Sequence, residues 1–261
     1  MTEPLFERRR GSLPLLISFP HSGTLLPAAL RDRLSSEGRA LADTDWFVPE
    51  LYRRCLERLD VSSLIATHSR YLVDLNRPPD GAALYPGRLE SAICPTETFS
   101  GTAIYRTGQE PTPAEMAERI ERYWRPYHAA ICEARDQILQ QHGQCVIWDA
   151  HSIRSQAPRL FEGVLPELNL GTWNGRSASA DRIARIATQL AAQQRFTHVV
   201  DGRFKGGYIT RHYGAPQQQV HAMQLEIAQR AYMTEADAPQ FDTQIAAPLS
   251  ALIEQLIAAL L

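Results

Sequence analysis

The chain has 261 residues, 44% of them apolar, which is enough to build a sizeable core. Charged residues make up 21% and the formal net charge is −2, so no basic excess points to nucleic acid and no charged tail is evident. No apolar run approaches the roughly 18 residues of a membrane span, and the N-terminal stretch lacks the basic-then-apolar order of a signal peptide. A soluble cytoplasmic protein is therefore expected.

In chain order, Leu13–Phe19 reads as a buried strand that ends at Pro20 and feeds the turn Pro20-His21-Ser22-Gly23. Apolar residues from Asp45 to Leu59 recur with helical spacing. Val61–Thr67 and Tyr71–Leu75 read as two further strands, and residues 78–111 as a long irregular excursion of the kind that carries function. Thr112-Pro113-Ala114-Glu115 is a helix start with a capping box. That helix is expected to reach Gln141, to stop at Gly143 and to be kinked or divided by Pro126. Gln144–Trp148 is a strand running into Asp149-Ala150-His151-Ser152. Leu168–Trp173 is a strand, Asp181–Arg195 a helix, Phe196–Val200 and Val220–Ile227 strands, and 243–260 a closing amphipathic helix. This alternation implies an α/β fold with a central mixed, largely parallel sheet flanked by helices, in a single domain spanning 1–261.

Polar residues gather where these strands end, which is where open α/β sheets place ligands. His21, in a tight turn, suits a metal ligand or a simple turn hydrogen bond. Asp43 and Asp45 suit a helix cap or a carboxylate ligand. Asp149 and His151 are two apart and share a face if the strand persists, so that one can coordinate and the other support it. Gln224 and Glu226 alternate with apolar residues. A carboxylate there is costly unless paired with an arginine or used as a general base. Arg70, Asn76 and Arg77 bracket one short segment, and the loop from Gly202 to Arg211 contains Lys205, Gly206, Gly207 and Arg211. Guanidinium groups can grip carboxylates and paired glycines let backbone amides approach a ligand, while pairing with Asp74 is the structural alternative. A phosphate site lacks the P-loop spacing, and no Gly-x-Ser-x-Gly elbow supports Ser22 or Ser152 as a nucleophile. The four cysteines form no CxxC pair and are expected to be free thiols.

Together, Phe19–Gly23, Asp43–Trp46, Ser69–Arg77, Asp149–Ser152, Phe204–Arg211 and Gln224–Glu226 resemble the N-formylglutamate amidohydrolase family, over most of the chain. Tyr232-Met233 and Glu235 resemble its deformylase branch. The resemblance implies a fold like that of zinc carboxypeptidases, with one zinc ion held by His21, Asp45 and His151. Manganese, cobalt or iron would suit the same donors. It implies Glu226 as general base on water, with an arginine such as Arg70 aiding the oxyanion. The expected partner is a small molecule, N-formyl-L-glutamate, cleaved to formate and L-glutamate as the last step of a histidine degradation route. Its carboxylates would meet Arg70, Asn76, Arg77, Lys205, Gly206, Gly207, Arg211 and Gln224. A related N-acyl amino-acid hydrolase or a carboxypeptidase-like peptidase is the alternative. Either a monomer or a small homo-oligomer fits the sequence.

Overall fold

A computed structural model describes residues 3–236 and 238–261. In chain order it begins with β1 (Phe6–Arg9), β2 (Leu15–Phe19), α1 (Ala28–Arg31), α2 (Ser36–Ala40), α3 (Val48–Leu51), α4 (Arg53–Arg58) and β3 (Ser62–Ala66). After a long loop come α5 (Pro113–Arg119), a π-helical turn (Ile120–Trp124), α6 (Arg125–His142), β4 (Cys145–Ile153), β5 (Leu168–Gly171) and α7 (Ala180–Ala192). The chain closes with β6 (His198–Val200), α8 (Tyr208–Tyr213), β7 (Val220–Ala228), β8 (Met233–Thr234), β9 (Gln240–Phe241) and α9 (Thr243–Ala258).

Seven strands form one mixed sheet in the order β1-β3-β2-β4-β7-β5-β6. The central strands β3, β2, β4 and β7 are parallel. β1 joins β3 antiparallel, and β5, paired parallel to β6, joins β7 antiparallel. The period-2 pleat sorts the core residues. Leu15, Ile17, Val146, Trp148, Met223 and Leu225 pack with α3, α4, α7 and α9 on one face. Leu16, Cys145, Ile147, Val220 and Ala222 pack with α6 and α8 on the other. Being covered on both faces, β2, β4 and β7 are buried along their whole length.

Several expectations are corrected. Tyr71–Leu75 is not a strand. The segment is buried throughout: Tyr71 and Leu72 fill a small core with Leu30, Leu34 and Leu41, Val73 and Leu75 pack in the core of the α6 face, and no strand pairs with it. The helix expected from Asp45 begins only at Val48, because Phe47 takes a left-handed φ of 58° and Pro49 bars a helical bond back toward residue 45. Tyr52 then divides it in two. The division expected near Pro126 is present: the π turn Ile120–Trp124 separates α5 from α6, and Pro126 sits in the first turn of α6. β4 runs five residues past the expected Trp148, to Ile153. The edge strand β1, the short pair β8–β9 and helices α1, α2 and α8 were not anticipated. Residues 78–111 contain no helix or ladder strand, as expected.

Candidate metal and substrate site

Because β2, β4 and β7 run parallel, their C-terminal ends open at one edge of the sheet, and the polar residues converge there. The length of β4 matters: only an extended backbone through residue 151 keeps Asp149 and His151 on the face shared by Cys145 and Ile147. The β4–β7 register sets Asp149 beside Gln224 and His151 beside Glu226.

His21, just past β2, comes within reach of His151 and Asp45. One donor atom from each lies within 4.8 Å of the others, and all three residues are buried. The Nδ1 atoms of both imidazoles face Asp45 Oδ2, at 3.7 Å for His21 and 3.0 Å for His151. Their Nε2 atoms point away to other carboxylates. Nε2–H of His21 donates to Asp74 Oδ1 at 2.7 Å, and Nε2 of His151 lies 2.8 Å from Asp149 Oδ2 and 2.8 Å from Asn76 Nδ2. Each imidazole thus has a carboxylate on its outer side and turns Nδ1 toward the centre, the kind of support that metal-ligating histidines have. Asp45 Oδ1 is buried and takes no hydrogen bond.

Charge also favours a cation. Asp45, Asp74, Asp149 and Glu226 are all buried here, against one buried guanidinium, that of Arg70. Burial opposes the charged form of His151, but Asp149 and Asp45 outweigh it and hold the imidazole well above its ordinary value. Burial pushes Glu226 up to about 7. Burial would raise Asp74 as well, but Arg70 and His21 hold it well below the usual carboxylate range. Two imidazole nitrogens and a carboxylate oxygen, backed by further acids, fit a divalent ion.

Asp43 does not join the cluster. Its carboxylate accepts Tyr71 O–H and Phe99 N–H, and burial raises its pKa. Asn76 acts as a tie: its Nδ2–H donates to Asp149 Oδ2 at 2.9 Å, and its Oδ1 accepts Ile209 N–H at 2.7 Å. Gly207 is tied too, donating its N–H to Gln224 Oε1 at 2.7 Å, and a Cβ there would strike the Asn76 side chain. Gln224 in turn donates to Glu226 Oε2 at 3.1 Å, and Glu226 forms no ion pair with an arginine among the described residues.

Above this floor lies a pocket bounded by His21, Asp45 and His151, by Glu226, the 85–91 loop, Phe99, Leu160 and Phe204. Of the expected substrate contacts, Arg70, Asn76, Arg77, Gly207 and Gln224 line it. Lys205, Gly206 and Arg211 do not. Lys205 Nζ reaches Asn174, Gly206 offers its carbonyl to Tyr85 and Arg211, and Arg211 also holds the Leu84 carbonyl. Arg70 is engaged structurally: its Nη2 bonds Asp74 Oδ2 at 2.6 Å and its guanidinium stacks over Phe99. Arg203 lines the pocket but was not singled out from the sequence, where it is one cation of a basic loop. The cysteines are free and none lines the pocket. Burial pushes Cys55 and Cys145 up to about 12, which argues against a thiolate nucleophile. Ser152 Oγ is held by Tyr232 and Gln229 rather than by a histidine.

The chain is similar to known proteins along nearly its whole length. The N-formylglutamate amidohydrolase family model matches residues 13–233. A protein of Pseudomonas putida named N-formylglutamate deformylase is 43% identical over 252 residues, covering 97% of this chain and 94% of its own. One of Pseudomonas aeruginosa with the same name is 45% identical over 253 residues, with the same coverage. The crystal structure of N-formylglutamate amidohydrolase from Ralstonia eutropha JMP134 matches with a TM-score of 0.82 at 25% identity, over 98% of this chain and 95% of that one. A gene product of Agrobacterium tumefaciens, at 17% identity and a TM-score of 0.71, shares the fold. With matches of this length and identity, and with the motif residues of six separated segments gathered at one sheet edge, the chain belongs to the N-formylglutamate amidohydrolase family.

Proposed function

We propose that the chain hydrolyses N-formyl-L-glutamate to formate and L-glutamate, using one zinc ion held by His21, Asp45 and His151. The observation that carries the proposal is the meeting of these three buried donors with Glu226 at the floor of one arginine-lined pocket. A divalent ion with these three protein ligands supplies Lewis acidity and makes water a stronger acid near neutral pH. Glu226, its carboxylate weakened as an acid by burial, takes the proton of the attacking water and passes it to the departing amine nitrogen. Gln224 holds Glu226 in place, and Asp74, Asp149 and Asn76 hold the imidazoles. Arg70, beside Asp45 at 3.8 Å, adds positive charge where the formyl oxygen turns anionic.

The ligand set is like that of zinc carboxypeptidases, and the proposal extends that likeness to the chemistry. The reaction fits the last step of histidine degradation in the cytoplasm, carried out by a chain that is one domain. No helix among the described residues is long and apolar enough to cross a membrane. The test is glutamate release from N-formyl-L-glutamate before chelation, after it, and after zinc is restored. Activity should vanish and return. An undiminished rate in protein shown by metal analysis to be stripped would overturn the metal role.

A further inference from the structure

Three arginines face the pocket, and only one of them is committed to acids. Arg77 spends Nε on the Ser91 carbonyl and Nη1 on that of Asn76. Arg203 spends Nε on the Leu160 carbonyl at 2.7 Å and reaches the Leu89 carbonyl more weakly at 3.4 Å. Neither forms an ion pair with an acidic side chain among the described residues. The nearest acid on the pocket wall away from the floor, Glu90, is occupied by the backbone N–H groups of Leu84 and Tyr85. Two guanidinium groups therefore face one cavity, each carrying N–H groups turned to no carboxylate. Such an arrangement has a desolvation cost that a bound anion repays. Burial lowers the Arg203 pKa, and Arg88 and Arg77 nearby lower it further.

Their positions differ. Arg77 follows Asn76, whose amide touches the Asp149–His151 pair, so it stands next to the floor. Arg203 is anchored to the carbonyls of Leu160 and Leu89, which line the pocket and are not among the His21–Asp45–His151 donors, and it stacks on Phe204 and Tyr85 at 5.2 and 5.4 Å. In an N-formyl amino acid the α-carboxylate is two bonds from the amide nitrogen. The side-chain carboxylate of glutamate is four bonds away, beyond two methylenes. Leu89, Leu160 and Phe204 offer those methylenes an apolar wall.

Resting on the function proposed above, we infer that Arg203 is the specificity determinant that receives the side-chain carboxylate, and that Arg77 receives the α-carboxylate. Arg70, Lys205 and Arg211 are then not carboxylate grips.

The test is a crossed comparison of N-formyl-L-glutamate, its side-chain amide N-formyl-L-glutamine and its α-amide N-formyl-L-isoglutamine. Wild type should prefer the diacid over either amide by on the order of 100-fold in kcat/KM. Arg203→Gln should erase the preference over the side-chain amide and keep that over the α-amide, and Arg77→Gln should do the reverse. Arg203→Lys, which keeps the charge, should retain part of the side-chain preference. That separates anion binding from any loosening of the loops that Arg203 also holds. If Arg203→Gln slows all three compounds alike, or erases the α-amide preference instead, the assignment is overturned. A wild type that hydrolyses N-formylglutamate with no preference over the side-chain amide also sinks it while leaving the proposed function intact. A wild type that cleaves none of the three removes both.

Discussion

The floor and the mouth of the pocket are built in opposite ways. The floor rests on three parallel strands. His21 follows β2, while Asp149, His151, Gln224 and Glu226 lie within β4 and β7, and every one of these side chains is buried and held by a neighbour. The mouth is two loops without ladder hydrogen bonds, 84–91 and 203–207, fastened by side chains reaching backbone carbonyls. Its hub is Tyr85, whose hydroxyl accepts Lys205 N–H at 3.0 Å and donates to the Gly206 carbonyl at 3.1 Å, with Arg203 and Arg211 stacked on its ring. A floor fixed by the sheet suits chemistry, where small displacements cost much rate. A mouth fixed by side chains suits recognition, which can be altered one residue at a time.

If that division holds, floor variants should lower kcat or metal content and mouth variants should raise KM. The largest expected effect is from Glu226→Gln, which keeps shape and the Gln224 contact but removes the proton carrier. kcat should drop about 10³-fold or more with zinc content unchanged. A near-normal kcat would displace Glu226 from that role. Next come His21→Ala and His151→Ala, which should lose the metal outright by elemental analysis. Asp74→Asn and Asp149→Asn should weaken metal binding by about 10- to 100-fold in chelator competition. If either Asn variant held zinc as tightly as wild type, the paired outer carboxylates would be packing rather than support.

The same division explains what could be read from the sequence. Each floor residue sits at a fixed distance from an apolar run: the run predicts a strand, its end predicts a site, and period two predicts that Asp149 joins His151 and Gln224 joins Glu226. What periodicity could not decide was which of Asp43 and Asp45 joins His21 and His151, because the left-handed residue Phe47 that follows them carries no glycine signal. Tyr71–Leu75 misled for a related reason. A short apolar run marks a strand only where a partner strand exists, and that segment is buried between two cores without one. The mouth was least legible. Arg203, Lys205 and Arg211 are equivalent as letters. Only contacts remote in sequence, of Arg203 with Leu160 and Leu89, of Lys205 with Asn174 and of Arg211 with Leu84, set one on the cavity wall and two off it.

A smaller effect would sharpen the account of the mouth. Tyr85→Phe removes two hydrogen bonds between the loops and leaves the ring for the arginines to stack on. At about 1 kcal/mol for each net hydrogen bond, KM for N-formylglutamate should rise by up to roughly 30-fold with kcat nearly unchanged. A fall in kcat with KM constant would mean that the mouth also positions the reacting groups.

The smallest effect on activity at neutral pH is expected at His128, on the floor side but away from the chemistry. Its ring is stacked on Trp124, its Nε2–H donates to the Leu75 carbonyl at 2.8 Å, and its Nδ1 accepts the Tyr213 hydroxyl, so it pins the segment leading to Asn76 against α6 and α8. Burial pushes its pKa down to about 3 from an ordinary 6.5. Between those values the unfolded chain binds a proton that the folded chain does not, so stability rises with pH there. The contribution is complete above pH 6.5 and is lost as pH falls toward 3. The slope from this one group reaches at most about 1.4 kcal/mol per pH unit. In urea unfolding followed from pH 7 to pH 4, His128→Gln should be less stable than wild type at pH 7 and should lose less on acidification. The two curves therefore converge as pH falls. Parallel curves would mean that the buried imidazole takes up its proton without unfolding, and that the support beneath Asn76 is looser than the strands beside it.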